Sequence, residues 1–427
     1  MSGAARSTLV ETLSERARLA PLADRLAIVT AVTLPWSVTA SSIAIIIWLL
    51  VVLPTLDWRS LCRSFSIPAG GITVLLLLLA IVGTAWSSAT WAEQFGSIKI
   101  FARLLIIGVL LVQFQRSERG TQVVGAFLAS CAALLVVSWL YSLVPSLAIT
   151  GRFPGVPVKD YIIQSGEFLI CVFALGHLSL DAWQRGQRQR SLALGLLALL
   201  FLANIGYVAS ARSTLVAAVV LLLLFVRQRF GWRQAAGMVA LAAVIAGLTW
   251  MSSPYLRTRV LDVVHEVQDY RTNGAATSSG YRLEFWTRSI AIVSQAPILG
   301  HGTGSQLEQF RRTATATEGM GALTTDNPHN QSLFVAIQFG GVGTVLLYAM
   351  WLAHMLLFRG DGLTAWIGMA LVVQNIIAGV FNSALVEFTQ GWMYIFGVGV
   401  LGGMMLRASG SGRLGFQRNR AEQRNEG

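Results

Sequence analysis

Charge is scarce in this chain. Of 427 residues only 12% are Asp, Glu, Lys or Arg, about half the ~25% of an average soluble domain. That shortage excludes an ordinary soluble surface. Cysteine is scarce too: Cys62, Cys131 and Cys171 are scattered, and two of them lie in apolar runs. A disulfide framework and a cysteine metal site are therefore excluded. Lysine is confined to Lys99 and Lys159. The polar, basic N-terminus is not followed by a short apolar core with a small-residue cleavage site, so no removable signal peptide is expected. Repeats of fixed period and low-complexity tracts are missing as well. No His/Glu/Asp set has metal-ligand spacing, since Glu308, Glu318 and Asp326 are spread apart. G-H-G-T-G-S (300–305) has glycines but no Lys-Ser/Thr ending, so it reads as a tight turn rather than a nucleotide phosphate loop.

What is abundant is apolar length. Hydrophobic residues make up 54% of the chain, in runs such as I-T-V-L-L-L-L-L-A-I-V (72–82). A spanning helix needs about 20 mostly apolar residues, and these runs are too continuous for barrel strands. The fold class is all-α, a polytopic membrane protein with twelve spans expected at 26–40, 41–56, 69–87, 98–114, 121–145, 162–182, 191–208, 212–226, 234–252, 331–358, 362–381 and 388–407. An even number puts both termini on one side. That side holds 20 of the 32 basic residues but only nine of the 20 acidic ones. The positive-inside rule makes it the cytoplasm. The formal charge of +12 is thus an insertion signal carried by short loops such as W-Q-R-G-Q-R-Q-R (183–190), not a nucleic-acid patch.

Four regions follow: an N-terminal bundle over 1–252, an outer loop over 253–330, a C-terminal group of spans over 331–407 and a basic cytoplasmic tail over 408–427. So long a loop is expected to contain its own helices. T-R-V-L-D-V-V-H-E-V-Q-D-Y (258–270) sets Val260, Leu261, Val264 and Val267 at helical spacing. Y-R-L-E-F-W-T-R-S-I-A-I-V-S-Q-A (281–296) does so with Phe285, Trp286, Ser289, Ile290 and Val293. Both read as amphipathic helices lying on the membrane surface or over the bundle.

Three residues of the outer face carry the chemistry. Arg212, in Y-V-A-S-A-R-S-T-L-V, interrupts two apolar segments, and an arginine at membrane depth costs on the order of 2.5–3.5 kcal/mol. Its plainer reading is a snorkelling anchor. Arg282 opens the second loop helix, where free N–H groups and the dipole favour anions and a guanidinium fork suits phosphate. Trp286, four residues on, is placed to hold the arginine stem; the plainer reading is a pair with Glu284. His329, in T-D-N-P-H-N-Q-S-L, has Asp326, Asn327 and Asn330 beside it to fix tautomer and orientation, as a general base requires. A structural turn is the alternative. His177 and His354 read as satisfied packing residues, His265 as solvated and His301 as a turn residue. Two arginines and one oriented histidine beside lipid suit a lipid-linked pyrophosphate donor and a hydroxyl acceptor, since nucleotide sugars are absent outside the inner membrane.

S-A-R-S around Arg212, S-G-Y-R-L-E-F-W with Arg282, P-I-L-G-H-G-T-G-S, and P-H-N-Q-S-L with His329 occur in that order around one loop. This set resembles the O-antigen ligase and O-antigen polymerase superfamily. The resemblance implies a fold like that of the lipid-dependent (GT-C-like) membrane glycosyltransferases, in the bacterial inner membrane, with a large helical periplasmic loop. It implies transfer of a glycan from undecaprenyl pyrophosphate, with Arg212, Arg282 and His329 on the essential basic positions. Lys99, Arg103 and Arg152 are further matches for donor or acceptor phosphate, and Trp286, Asp326 and Asn330 support the site. No metal or cofactor is expected. The ligase takes lipid A–core oligosaccharide as acceptor; the polymerase takes a second lipid-linked repeat. The single late loop favours the ligase. A lipid-linked glycan transporter or flippase remains the rival from another class, and it calls for discontinuous helices at the midplane.

Overall fold

The computed structural model describes residues 3–147, 153–314 and 319–425, with side chains over 18–147, 153–314 and 319–409. Among the described residues every regular element is helical, as a backbone in hydrocarbon requires. The first group comprises α1 (Gly3–Thr33), α2 (Val38–Val52), α3 (Trp58–Ser66), α4 (Pro68–Val82), α5 (Trp91–Ala102), α6 (Ile106–Arg116) and α7 (Gly120–Leu143). Then come α8 (Tyr161–Gln184), α9 (Arg188–Tyr207), α10 (Arg212–Arg229) and α11 (Trp232–Ser252). The long loop folds into α12 (Pro254–Asn273), α13 (Ser278–Gln295) and α14 (Gln306–Arg312), and α15 (Gln331–Leu357), α16 (Leu363–Phe381) and α17 (Phe388–Asn425) complete the chain.

Small polar residues set the helix starts. Ser37, Asp57, Ser253, Thr277 and Asn330 each accept a backbone N–H of the first turn, and Thr90 with Glu93 forms a capping box. Each such cap contributes about 1 kcal/mol.

Ten helices among the described residues are long and apolar enough to cross a membrane, against the twelve spans expected. The two that fall outside are the expected first and eighth: α10 carries three charges over its 18 residues, and α1 is described with side chains over only 18–33. The described part of α1 carries Arg18, Asp24 and Arg25, and α10 carries Arg212, Arg227 and Arg229. Both nevertheless run the depth of the bundle. In α1, Asp24 accepts from Gln113 late in α6, while the Leu34 carbonyl just beyond its end accepts from Lys159 just before α8. In α10, Arg212 meets the long loop, and Arg229 meets His177 late in α8 and Trp366 early in α16. Its 18 residues make about 27 Å of helix, close to the ~30 Å of a hydrocarbon core.

A single apolar cluster, with Trp48, Phe114, Phe168, Phe339 and Tyr394 at its centre, joins the bundle. Polar side chains inside it are satisfied in chains: Trp48 donates to Gln113, and Gln113 to Asp24. The histidines in the spans are packing groups, as expected. His354 sits between the Tyr394 hydroxyl and the Ala69 carbonyl, and His177 stacks on Trp366 and bonds Arg229.

The long loop is tied into the bundle through the G-H-G-T-G turn. Gly300, Gly302 and Gly304 all have positive φ, and the turn seats in a break of α15 at Gly340 (φ 56°, ψ −146°). There His301 N–H donates to Ile337 O, Gly302 N–H to Gln338 O, Gly341 N–H to Pro297 O and Val342 N–H to Ile298 O. The Gln338 side-chain oxygen accepts from Ser97 and from Gly304 N–H. Only glycine fits at 340, because a Cβ would come within 2.5 Å of the Ile298 carbonyl. The break lies 17 residues from the far end of α15, about 26 Å. It therefore sits near the surface of the apolar slab and not at the midplane.

Of the two loop helices, α13 buries Phe285, Ser289 and Ile292, whereas Ile290 is exposed. On α12, Val260 and Val267 of the expected apolar face are half-buried while Leu261 and Val264 are exposed, and α12 buries no residue fully. Arg288, unnoticed in the sequence, donates to the carbonyls of Phe310 and Leu323 and so pins the remainder of the loop onto α13.

Candidate active site

His329 occupies the turn between the loop and α15. Its φ of 52° places a non-glycine residue in the left-handed region, a strain of order 1–3 kcal/mol that concentrates at working sites. The turn is held by side chains. Asn327 Oδ1 accepts His329 N–H at 2.9 Å and the Ser383 hydroxyl at 2.7 Å. Asn330 caps α15 through Leu333 N–H and donates to the Val380 carbonyl of α16. The imidazole stacks on Phe285 of α13 (6.3 Å between centroids, 28° between planes), and Trp286 Nε1 donates to the His329 carbonyl at 3.4 Å.

The orienting partner is Asn382, just past α16. Its Oδ1 lies 3.0 Å from His329 Nδ1 and accepts Ser383 N–H at 3.0 Å. A backbone N–H can only donate, so the shared atom is the amide oxygen. Nδ1 of the neutral ring must then carry the proton, and Nε2 keeps its lone pair. The half-buried ring has no Nε2 partner among the described residues. This corrects the expected support: Asp326 has no side-chain hydrogen bond among the described residues and is exposed, and Asn330 is occupied with the helix cap.

One turn from Phe285 and Trp286, on the same face of α13, lies Arg282. It is half-buried and has no hydrogen bond or ion pair among the described residues. Burial pushes its pKa down, Tyr161 and Glu266 pull it back, and Arg212 pushes it further down. Glu284, the partner of the plainer reading, instead accepts from the Tyr270 hydroxyl at 2.6 Å. Trp286 is spent on the His329 carbonyl, so the expected stacking under the arginine stem is replaced by a link between α13 and the histidine turn.

Arg212 differs from the expectation of a free anion donor. Its fork closes on Glu266 of α12, with two N–O distances of 2.8 Å, and it also reaches the Ser279 hydroxyl at 2.7 Å. These bonds, above all the one from Arg212, hold the Glu266 carboxyl down to about 2. Glu266 in turn accepts Ser279 N–H, so the fork fixes the start of α13 and with it Arg282. Arg259, over Tyr161 at 4.4 Å, adds a third guanidinium to this corner.

A second corner lies across Asp160–Tyr161. Arg103, at the turn between α5 and α6, has Nε and Nη2 buried without a partner among the described residues. Beside it is Glu387, between α16 and α17. Burial pushes the Glu387 carboxyl up; Asp160 and Asp326 act the same way, while His329 and Arg103 hold it back. Glu387 thus lies within electrostatic reach of both Arg103 and His329, with no ion pair to either among the described residues. Lys99 is not part of this corner: it is exposed, with its ammonium 5.1 Å from the Phe95 ring centre. Arg152 lies outside the described residues. The described residues hold no group of three or more His, Cys, Asp or Glu side chains set to bind a metal ion.

The buried polar corners, the loop helices and α15 all fall within or beside one matched segment. Residues 196–348 match the family model described as O-antigen ligase. The matched segment runs from α9 through the loop into α15, and it contains Arg212, Arg282 and His329. It supports membership of the O-antigen ligase superfamily and an activity of the general O-antigen ligase or polymerase type. No match is found among curated proteins. Asn382, Glu387 and Arg103 lie outside the matched segment. The only signals for the first two were polar residues flanking the last two spans.

Proposed function

We propose that the chain transfers a glycan from undecaprenyl pyrophosphate to a hydroxyl of lipid A–core oligosaccharide, without metal and with inversion at the anomeric carbon. The reading rests on one observation above all. His329 Nε2 carries a lone pair and no partner among the described residues, and its ring stacks on Phe285, one helical turn along α13 from the half-buried, unpaired Arg282. The acceptor oxygen attacks the anomeric carbon as its proton passes to Nε2. The bond from that carbon to the pyrophosphate oxygen breaks, and the electron pair leaves with undecaprenyl pyrophosphate. Arg282 meets the growing negative charge, a role commonly worth about 2.7–4 kcal/mol per group. Arg103, with its buried open N–H groups, is the second phosphate contact. Arg212 is a positioning residue through Glu266 and Ser279. The arginine distribution supports an inner-membrane protein with cytoplasmic termini and the site on the periplasmic side.

The test is an assay of purified protein with undecaprenyl-pyrophosphate glycan, offering lipid A–core and a second lipid-linked repeat in parallel, with and without EDTA. Transfer to lipid A–core that persists in EDTA and is lost in His329→Ala is the expected result. Growth of the lipid-linked chain would assign a polymerase. Passage of the glycolipid across vesicles with no new glycosidic bond would assign a flippase. Full transfer by His329→Ala would remove the base.

A further inference from the structure

The end of the bundle opposite His329 contains a built amphipathic groove that the transfer reaction does not use. A cavity of about 360 Å³ opens there between α7, α8, α16 and α17, with Thr121, Gly125, Asp181, Arg185, Arg190 and Thr364 around its mouth. A second cavity of about 70 Å³, lined only by apolar residues such as Phe127, Ile170, Met393 and Phe396, continues into the bundle. Val124, Leu128, Ile367 and Leu401 line both. The two adjoin across that shared wall, polar and basic at the mouth and hydrocarbon-like within.

We propose that this groove binds one anionic glycerophospholipid, phosphate at Arg185 and Arg190 and an acyl chain in the apolar part. The mouth brings two guanidinium groups against one carboxylate. Arg185 spends one N–H on Asp181 at 2.9 Å, and Arg190 spends one on the Gln187 side chain at 3.2 Å. A guanidinium has five N–H donors, so most remain for phosphate oxygens. A zwitterionic choline headgroup would bring its own cation against the arginines, whereas a phosphatidylglycerol headgroup brings only the anion. Basic residues between helices at a membrane surface recognise anionic headgroups in this way. The apolar part offers nothing to free phosphate, whereas an acyl chain fits its hydrocarbon-like lining. The chemistry therefore selects a lipid rather than a soluble anion.

The test uses the full-length protein in detergent micelles, titrated in parallel with phosphatidylglycerol and phosphatidylcholine of identical acyl chains and read by native mass spectrometry. One phosphatidylglycerol is expected to be retained, with at least about a tenfold preference over phosphatidylcholine. The double variant Arg185→Ala/Arg190→Ala is expected to erase that preference. Gly125→Leu is the second variant. Gly125 lines the groove mouth and a Cβ there meets no heavy atom within 4 Å, so the leucine side chain starts in open space at the mouth, and it is expected to abolish retention. An unfolding scan confirms that each variant is folded; should the double variant fail it, Gly125→Leu decides alone. Equal retention of the two lipids, retention unchanged by Gly125→Leu, or displacement of the lipid by excess inorganic phosphate would overturn the assignment.

Discussion

The side-chain oxygen of Asn382 accepts from His329 Nδ1 and from Ser383 N–H, both at 3.0 Å. The backbone donor identifies the oxygen, and the oxygen identifies the proton on the ring. A residue 53 positions from the histidine thus determines which imidazole nitrogen is basic.

Asn382→Ala removes that instruction while leaving the Asn327 and Trp286 contacts of the turn. The ring is then free to take the other tautomer. General-base catalysis contributes about 10²–10⁴-fold, and part of that is expected to be lost from kcat, with KM for either substrate little changed. Steady-state kinetics of the purified variant checks this. A change confined to KM would mean that Asn382 serves substrate binding instead.

Arg282 separates charge from geometry. It has no partner to orphan, so Arg282→Lys and Arg282→Ala are both expected to unfold at the temperature of the parent. Lysine keeps the positive charge but loses the two-point fork, so it is expected to recover only a minor part of the ~10²–10³-fold fall in kcat expected with alanine. Full activity in Arg282→Lys would show that a point charge suffices.

The Arg212–Glu266 fork should be visible in the pH dependence of stability. Glu266 is held down to about 2 from an ordinary value of 4.5. A carboxyl depressed by folding contributes stability that is complete above its unfolded value and is lost as pH falls toward its folded one. The unfolding temperature is therefore expected to drop between about pH 4.5 and 2, and Glu266→Gln should flatten that part of the curve while lowering stability near neutrality. An unchanged acid slope in the variant would assign the sensitivity to other carboxyls.

Gly340→Ala tests the seat of the G-H-G-T-G turn. Alanine meets both the positive φ and the Ile298 carbonyl at 2.5 Å. Strain of this kind is of order 1–3 kcal/mol, before the loss of the four backbone hydrogen bonds around the break. The expected outcome is a fall of several degrees in unfolding temperature together with loss of transfer. A variant as stable as the parent would mean that the break can relax.

The fold class was legible because apolar length is a crude and strong signal, and the count of spans was less so because charge dilutes it. α10 crosses the bundle with arginines at both ends, and only the partners of those ends reveal it. Within the site, Arg282 and His329 stand on elements whose local chemistry is written nearby: a Thr277 cap and a Phe285–Trp286 face for one, an Asn-Pro-His-Asn turn for the other. The supporting groups were misassigned for a physical reason. Neighbours in a tight turn diverge, so Asp326 points to solvent and Asn330 to its own helix. The group that touches the ring comes from the end of α16. Arg212 looked free because Glu266 lies 54 residues away, on α12 of the long loop.

The seating of the loop in α15 has a further consequence for how substrates enter. Lifting the loop there would strip partners from the backbone at Ile337, Gln338, Pro297 and Ile298 together, so that flank acts as a weld. The opposite flank is an outrigger. α11 and α12 bury none of their residues, and a few side-chain contacts hold them, chiefly Arg212 with Glu266, Ser253 with the Gly206 carbonyl and Tyr255 with Ser210 N–H. On the proposed function, a bulky glycolipid approaching sideways through the bilayer would meet fewest buried contacts on that flank, where the Arg212–Glu266 fork is the chief tie.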